Sequence, residues 1–243
     1  MNASPADQRA LLDVADLDRR ARRAEAARRT PPQAARIAEL TAQRTAQAHE
    51  LSLRAGVRDD VQVELSRLES DVAVAEARRA RDAGRLAASS NSKDAQALEH
   101  ELASLKKRLS DLEDAELDVM ERLEQAEAAV AAQQAVVDET NAEGSRLSAE
   151  AKAVVAEATT ELEHIARDRA AIVASLPADL VGYYDKVALR SSGAALFTRG
   201  TCEGCRMVLS GTDLQALRNA PEDRIVTCPE CGSILVRTEE SGL

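Results

Sequence analysis

Between Leu98 and Ile172 apolar residues recur in alternating steps of four and three. The run passes through Leu102, Leu105, Leu109, Leu112, Val119, Leu123, Ala126, Val130 and Val137, and resumes at Leu147, Ala151, Val154, Ala158 and Ile165. Glu116, Gln133 and Asp168 interrupt it, and Gly144 is a weak point. An earlier stretch keeps the same step through Val61, Leu65, Leu68, Val72, Ala75 and Leu86, and is poor between Arg44 and Arg58. Such spacing gives a helix a narrow apolar seam that needs a partner helix. Breaks fall at Pro31 and Pro32, at the polar "AASSNSKDAQ" and at "SLPADL". They predict helices over about 5–29, 33–88 and 93–176, with Thr30 capping the second and a turn at 89–92. The second helix matches most of the third in length, and helix breakers sit between them. An intramolecular antiparallel hairpin therefore explains the pattern better than an intermolecular coiled coil. The first helix is left to dock on the far half of the third.

The expected fold class is mainly α: a long antiparallel coiled-coil hairpin over 1–176, then a neck with a short helix over 177–196. A small β-rich tail follows over 197–243, and because its four cysteines, Cys202, Cys205, Cys228 and Cys231, stand in two Cys-x2-Cys turns it reads as a C4 zinc ribbon. Composition agrees with long helices. One Phe, two Tyr and no Trp are too few for a globular core in a chain of 243 residues. All three aromatics lie between Tyr183 and Phe197, where they either pack the neck or offer faces to nucleic-acid bases; packing is the preferred reading.

The formal net charge is −10, which argues against a protein that coats nucleic acid over its whole surface. Residues 111–163 hold 15 acidic and three basic side chains, and the antiparallel register sets them against 18–70, with 11 arginines and eight acids. The cluster "RRARRAEAARR" at 19–29 thus reads as one side of an ion-paired interface facing Glu157 and Glu161 rather than as an RNA-binding strip. The tip, 78–93, has five basic residues and one acid, without an opposing acidic run, and is the better contact surface. No apolar run approaches a membrane span, and no secretory signal is expected from "MNASPADQRALLDVADLDRR". The thiols are expected in a reducing, cytoplasmic compartment.

All four cysteines stand in two Cys-x2-Cys turns, Cys202/Cys205 and Cys228/Cys231, 22 residues apart. Each turn aims two sulfurs at one point, and the pair supplies four thiolates for one tetrahedral Zn²⁺ per chain. The alternatives are two redox dithiols or an iron–sulfur site; redox dithiols normally sit at a helix start in a larger α/β domain, which this tail is too short to supply. Four protein thiolates close the coordination sphere, so the centre is structural and the chain is not expected to be an enzyme. "RMVL", "RIVT" and "SILVRT" read as short strands, and "GTDLQALRN" as a helical turn capped by Thr212 or Asp213. A tail of this size cannot bury enough apolar surface to fold alone, and the metal crosslink supplies what its core lacks. His49, His100 and His164 stand singly on helices and are not read as ligands.

The order of parts resembles a bacterial C4-type zinc-ribbon family with a long helical hairpin. The features that match are "SNSKDAQALEHELASLKKR" after the tip, "LPADLVGYYDKV" at the neck, and "CEGC" with "CPECG". Ala95 stands near the position where an aromatic is expected. The resemblance implies a nucleic-acid-binding or adaptor protein with the four cysteines on zinc, and some relatives are linked to flagellar assembly and type III secretion as chaperones. Candidate nucleic-acid contacts are Lys186, Arg190, Arg199, Arg206, Arg218, Arg224 and Arg237. The ribbon itself carries five arginines against seven acids, so weak binding of RNA or DNA is expected. The alternative is a protein-binding scaffold acting through the hairpin. Partners are then nucleic acid or unidentified proteins, and the chain is a monomer or weak dimer.

Overall fold

The computed structural model describes residues 1–242. In chain order it contains α1 (Pro5–Arg29), α2 (Ala34–Ala88), α3 (Ser92–Ala174), α4 (Ala178–Ala188), β1 (Ala194–Thr198), β2 (Thr201–Cys202), α5 (Gly211–Asn219), β3 (Val226–Thr227) and β4 (Ile234–Val236). A single 3-10 turn over Glu239–Ser241 closes the described chain. Two compact units result, one of 35–148 and one combining 1–34 with the described residues from 149 onward.

The unit 35–148 is the helical hairpin. α2 and the first part of α3 run antiparallel and bury residues of the expected seam, Val61, Leu65 and Ala75 from one limb and Leu105, Leu109, Val119 and Val137 from the other; Leu40, outside the expected spacing, is buried as well. No residue between Leu40 and Val61 on α2 is fully buried, which is where the apolar spacing is poor. There Arg54 instead donates to the Ala129 carbonyl at 3.3 Å, and Gln133 reaches the Gln47 carbonyl at 3.2 Å. Ion pairs Arg36–Glu143 and Arg122–Glu64 flank the seam. At the tip the expected unopposed basic surface is smaller than its composition suggests. Arg78 pairs with Glu101 and Asp82, and Arg85 with Asp82.

The second unit is larger than the ribbon and neck. α1 and the end of α3 belong to it, so the hairpin expected over 1–176 divides between the two units. The reason is apolar surface. Leu11, Val14 and Ala15 of α1 join Leu180 and Tyr184 of α4 and Ile234 and Val236 of β4 in one core. The sheet order is β2-β1-β4-β3, with β1 and β4 parallel and the outer pairs antiparallel. Alternation along its central strands sorts side chains to two layers. Ala194, Ile234 and Val236 face the helices, while Ala195, Phe197 and Leu235 face a second core with the cysteines and Leu217. The first residues add to this unit: Ala3 donates to the Asp223 carbonyl at 2.8 Å, and the Gln8 side chain to the Ala3 and Glu222 carbonyls.

Several local expectations are corrected. Thr30 ends α1, its amide bonded to the Ala26 carbonyl, rather than capping α2. β1 crosses the expected boundary between neck and ribbon at 196/197, because "AALFT" is buried on both faces and carries no polar alternation to mark it as a strand. "RMVL" forms only a bridge at Val208, since the chain turns at Arg206 to close the metal site. α5 is capped by Ser210, whose hydroxyl accepts from the Asp213 amide at 3.2 Å, not by Thr212 or Asp213. Asp168 is exposed, and Arg169 takes the inner place.

Candidate metal centre and arginine cleft

The two Cys-x2-Cys turns are built alike. In the first, Cys202 leaves β2, its amide bonded to the Met207 carbonyl, and the Arg206 amide returns to the Cys202 carbonyl at 2.7 Å. In the second, the Cys228 amide bonds to the Ser233 carbonyl, and the Gly232 amide returns to the Cys228 carbonyl at 2.9 Å. Each turn needs a left-handed residue just past its second cysteine. Gly232 fills that place in one and Arg206 in the other. Gly204, inside the first turn, is required for a different reason, since a Cβ there would lie 2.7 Å from the Ser192 hydroxyl and 2.9 Å from Ala195 Cβ.

The four sulfurs lie within 4.8 Å of one another, with Cys202 Sγ 3.9 Å from Cys231 Sγ and Cys205 Sγ 3.8 Å from Cys228 Sγ. A tetrahedron with zinc–sulfur bonds near 2.3 Å has edges of about 3.8 Å, so the cradle fits zinc. The donor chemistry fits as well. Burial pushes the Cys202 thiol up to about 12, opposed by amides of Cys205 and Gly204. Burial also raises Cys228, against amides of Cys231 and Glu230. At Cys231 burial works the same way, but the hydroxyl and amide of Ser233, together with hydrogen bonds from Cys205 and Cys228, outweigh it and bring the thiol down to about 7. Ser192 Oγ lies 2.8 Å from Ser233 Oγ, which lies 3.3 Å from Cys231 Sγ, so a short hydroxyl chain stabilises that thiolate. A divalent cation supplies the charge that keeps the buried sulfurs ionised. The three histidines are exposed and none belongs to this cluster.

The expected nucleic-acid contacts divide. Lys186, Arg190, Arg199, Arg206, Arg218 and Arg224 are exposed, and among the described residues no side-chain hydrogen bond or ion pair engages them. Arg206 lines one cleft and Arg218 another, so the cations do not gather at one point. Arg237 is withdrawn from the set. Its guanidinium donates to the carbonyls of Leu217, Ala220, Pro221, Glu222 and Arg224 at 2.6–3.2 Å and clamps the turn after α5. Tyr184 and Phe197 are fully buried, so neither offers a face to a base.

The arginine cluster of α1 also divides. Arg20 pairs with Glu161 across to α3, Arg28 and Arg29 pair with Glu25, and Arg19 pairs with Asp16. Arg22 and Arg23 make no such pair among the described residues. With Arg19 they border a cleft of about 650 Å³ whose far wall is the first cysteine turn, including Glu203, Gly204 and Arg206. The sequence signal was present in the 3–4 spacing of Leu12, Ala15, Arg19, Arg22 and Arg23, but what that face meets is set by tertiary packing.

A four-thiolate centre carried on paired β-turns, following a helical hairpin, defines a coiled-coil zinc-ribbon protein that holds one zinc ion per chain. Residues 14–192 match the CT398-like coiled coil hairpin domain and 201–235 the C4-type zinc ribbon domain; the chain belongs to this CT398-like family. Two uncharacterized proteins of Mycobacterium tuberculosis, from strains CDC 1551 and H37Rv, are each 31% identical over 242 residues, covering 98% of both chains. A solved structure from Mycobacterium smegmatis is similar at 28% identity with a TM-score of 0.79, over 98% of this chain and 100% of that one. The structure of CT398 from Chlamydia trachomatis shares the fold at 16% identity with a TM-score of 0.57, over 95% of this chain and 97% of that one. Among the described residues no helix is long and apolar enough to cross a membrane.

Proposed function

We propose that the chain is a non-enzymatic, cytoplasmic adaptor whose neck and ribbon bind single-stranded nucleic acid weakly, while its hairpin contacts protein. The observation that carries the nucleic-acid half is the set of six exposed cations, Lys186, Arg190, Arg199, Arg206, Arg218 and Arg224, left without side-chain partners among the described residues. Cations held by carboxylates are spent on the fold; these remain available to phosphate oxygens. Their scatter supports weak binding with a shallow salt dependence and little sequence preference. Four protein thiolates fill a tetrahedral sphere, which supports a structural rather than a catalytic metal.

The protein-binding reading draws on a separate feature. Leu53, Val57 and Val74 on α2, and Leu117 and Met120 on α3, keep about half or more of their surface exposed. Apolar side chains of this size on both limbs suit a protein contact.

Titrating labelled single-stranded RNA into zinc-loaded wild-type chain and an Arg199→Ala, Arg206→Ala double variant tests the first half. Weaker binding by the variant supports it. Equal binding, or none by either protein at low salt, moves the function to the hairpin. Copurification from the native cell with and without nuclease then separates nucleic acid from protein partners.

A further inference from the structure

We propose that the cleft between α1 and the first cysteine turn is a binding site for a phosphorylated nucleoside. That nucleoside is either one nucleotide of a single strand or a free nucleotide. For the strand-borne ligand the inference rests on the nucleic-acid reading above. It adds two residues that reading does not include, Arg22 and Arg23.

Three properties of the cleft select this ligand. Its volume, about 650 Å³, is that of a small-ligand site rather than of an extended groove. Its floor is apolar and largely buried, with Ala15 and Ala195 under a tenth exposed and Leu12 and Leu196 half-buried. Its rim is cationic. Arg19, Arg22 and Arg23 lie on one face of α1, and Arg206 comes from the opposite wall. Arg19 is held by Asp16, but the side chains of Arg22, Arg23 and Arg206 are exposed and unpaired among the described residues. Guanidinium groups bind phosphate with two parallel hydrogen bonds and also stack on a base.

The acids of the rim favour a ligand with hydrogen-bond donors over the simpler anions. Asp16 and Glu203 stand among the arginines. Inorganic phosphate or an acidic peptide would meet Glu203 as a like charge and offer it no donor, while Asp16 is already matched by Arg19. A nucleotide has amino and hydroxyl donors that the carboxylates accept, and a phosphate that the arginines take. The apolar floor then covers one face of the base. No aromatic side chain lines the cleft, so stacking falls to arginine, which suits modest affinity and little preference between bases.

Arg206 has a competing role, since it follows Cys205 and four thiolates around one zinc carry a formal charge of −2. A test must therefore read the metal as well as the ligand. The zinc-loaded full chain is titrated into a labelled single-stranded RNA oligonucleotide and, separately, into a fluorescent nucleoside monophosphate. The proteins compared are wild type, Arg22→Ala/Arg23→Ala, Arg22→Lys/Arg23→Lys, Arg206→Ala, and Arg218→Ala/Arg224→Ala, which lies outside the cleft. Zinc content and helicity are measured on each.

Loss of charge-assisted hydrogen bonds should lower affinity at least about tenfold in both cleft alanine variants, with zinc still one per chain. The lysine variant should fall between them and wild type. Oligonucleotide binding that survives the α1 variants but is lost in Arg218→Ala/Arg224→Ala overturns the cleft and leaves the nucleic-acid reading standing. Nucleotide binding that depends on the cleft, with no oligonucleotide binding, supports the cleft for a free nucleotide and removes the nucleic-acid reading. Absence of both ligands from wild type overturns the cleft, as does zinc loss in Arg206→Ala, which would assign that arginine to the metal.

Discussion

Arg206 and Gly232 occupy the same left-handed position, one residue past the second cysteine of each metal turn, with φ of 59° and 76°. The amide of each bonds back to the carbonyl of the first cysteine of its own turn. One turn therefore uses the residue best suited to that backbone, and the other a residue that pays for it.

Arg206→Gly should stabilise the ribbon by about 0.5–1 kcal/mol, the relief of left-handed strain less the added freedom of the unfolded chain. Gly232→Ala should destabilise it by about 1–2 kcal/mol. The rate of zinc transfer to a chromogenic chelator reads both. Arg206→Gly should also weaken nucleotide binding while it slows zinc loss, which separates backbone from side chain.

Cys228→Ser should abolish stoichiometric zinc and unfold the ribbon while most of the helical signal by circular dichroism remains, because the hairpin seam contains no cysteine. The pH dependence follows from protonation. Burial holds the Cys202 thiol at about 12 and raises Cys228, so both carry protons at neutral pH and must release them to zinc. Affinity should therefore rise with pH and fall on acidification, by about 100-fold per pH unit or more for two or more released protons. Competition with a chelator at two pH values measures the slope, and a flat response would contradict this assignment.

Asp18 joins three elements. It accepts from the Tyr184 hydroxyl at 2.9 Å and from Arg169 at 2.7 Å, and Arg169 also holds Asp185. The Asp18 side chain is only 17% exposed. Burial, with the Asp18 hydrogen bond adding to it, pushes the Tyr184 phenol far above its ordinary value. Asp18→Ala leaves a buried hydroxyl and a half-buried guanidinium short of a partner and should cost about 2–3 kcal/mol. Tyr184→Phe removes one bond only and should cost about 1 kcal/mol. Denaturant unfolding followed by circular dichroism orders the two.

Arg237→Lys should be nearly as damaging as Arg237→Ala. An ammonium cannot span carbonyls from Leu217 to Arg224 as the guanidinium fork does. Both variants should lose zinc faster than wild type. Lysine restoring the wild-type rate would show that charge alone matters there.

The sequence by itself determined the helices, the seam and the metal ligands. Those signals are local: Leu105 and Val119 are buried because a 3–4 repeat allows one seam, and two Cys-x2-Cys turns define one four-sulfur centre. Only the tertiary structure decided which arginines are free. Within one run of α1, Arg20 meets Glu161 while Arg22 and Arg23 border the cleft beside the first cysteine turn, and Arg237 turns inward to a loop. It also decided that α1 packs on β4 through Leu11 and Val14. Charge and small apolar residues carry no partner label along a chain. Their roles depend on which distant surface the packing of the core brings within reach.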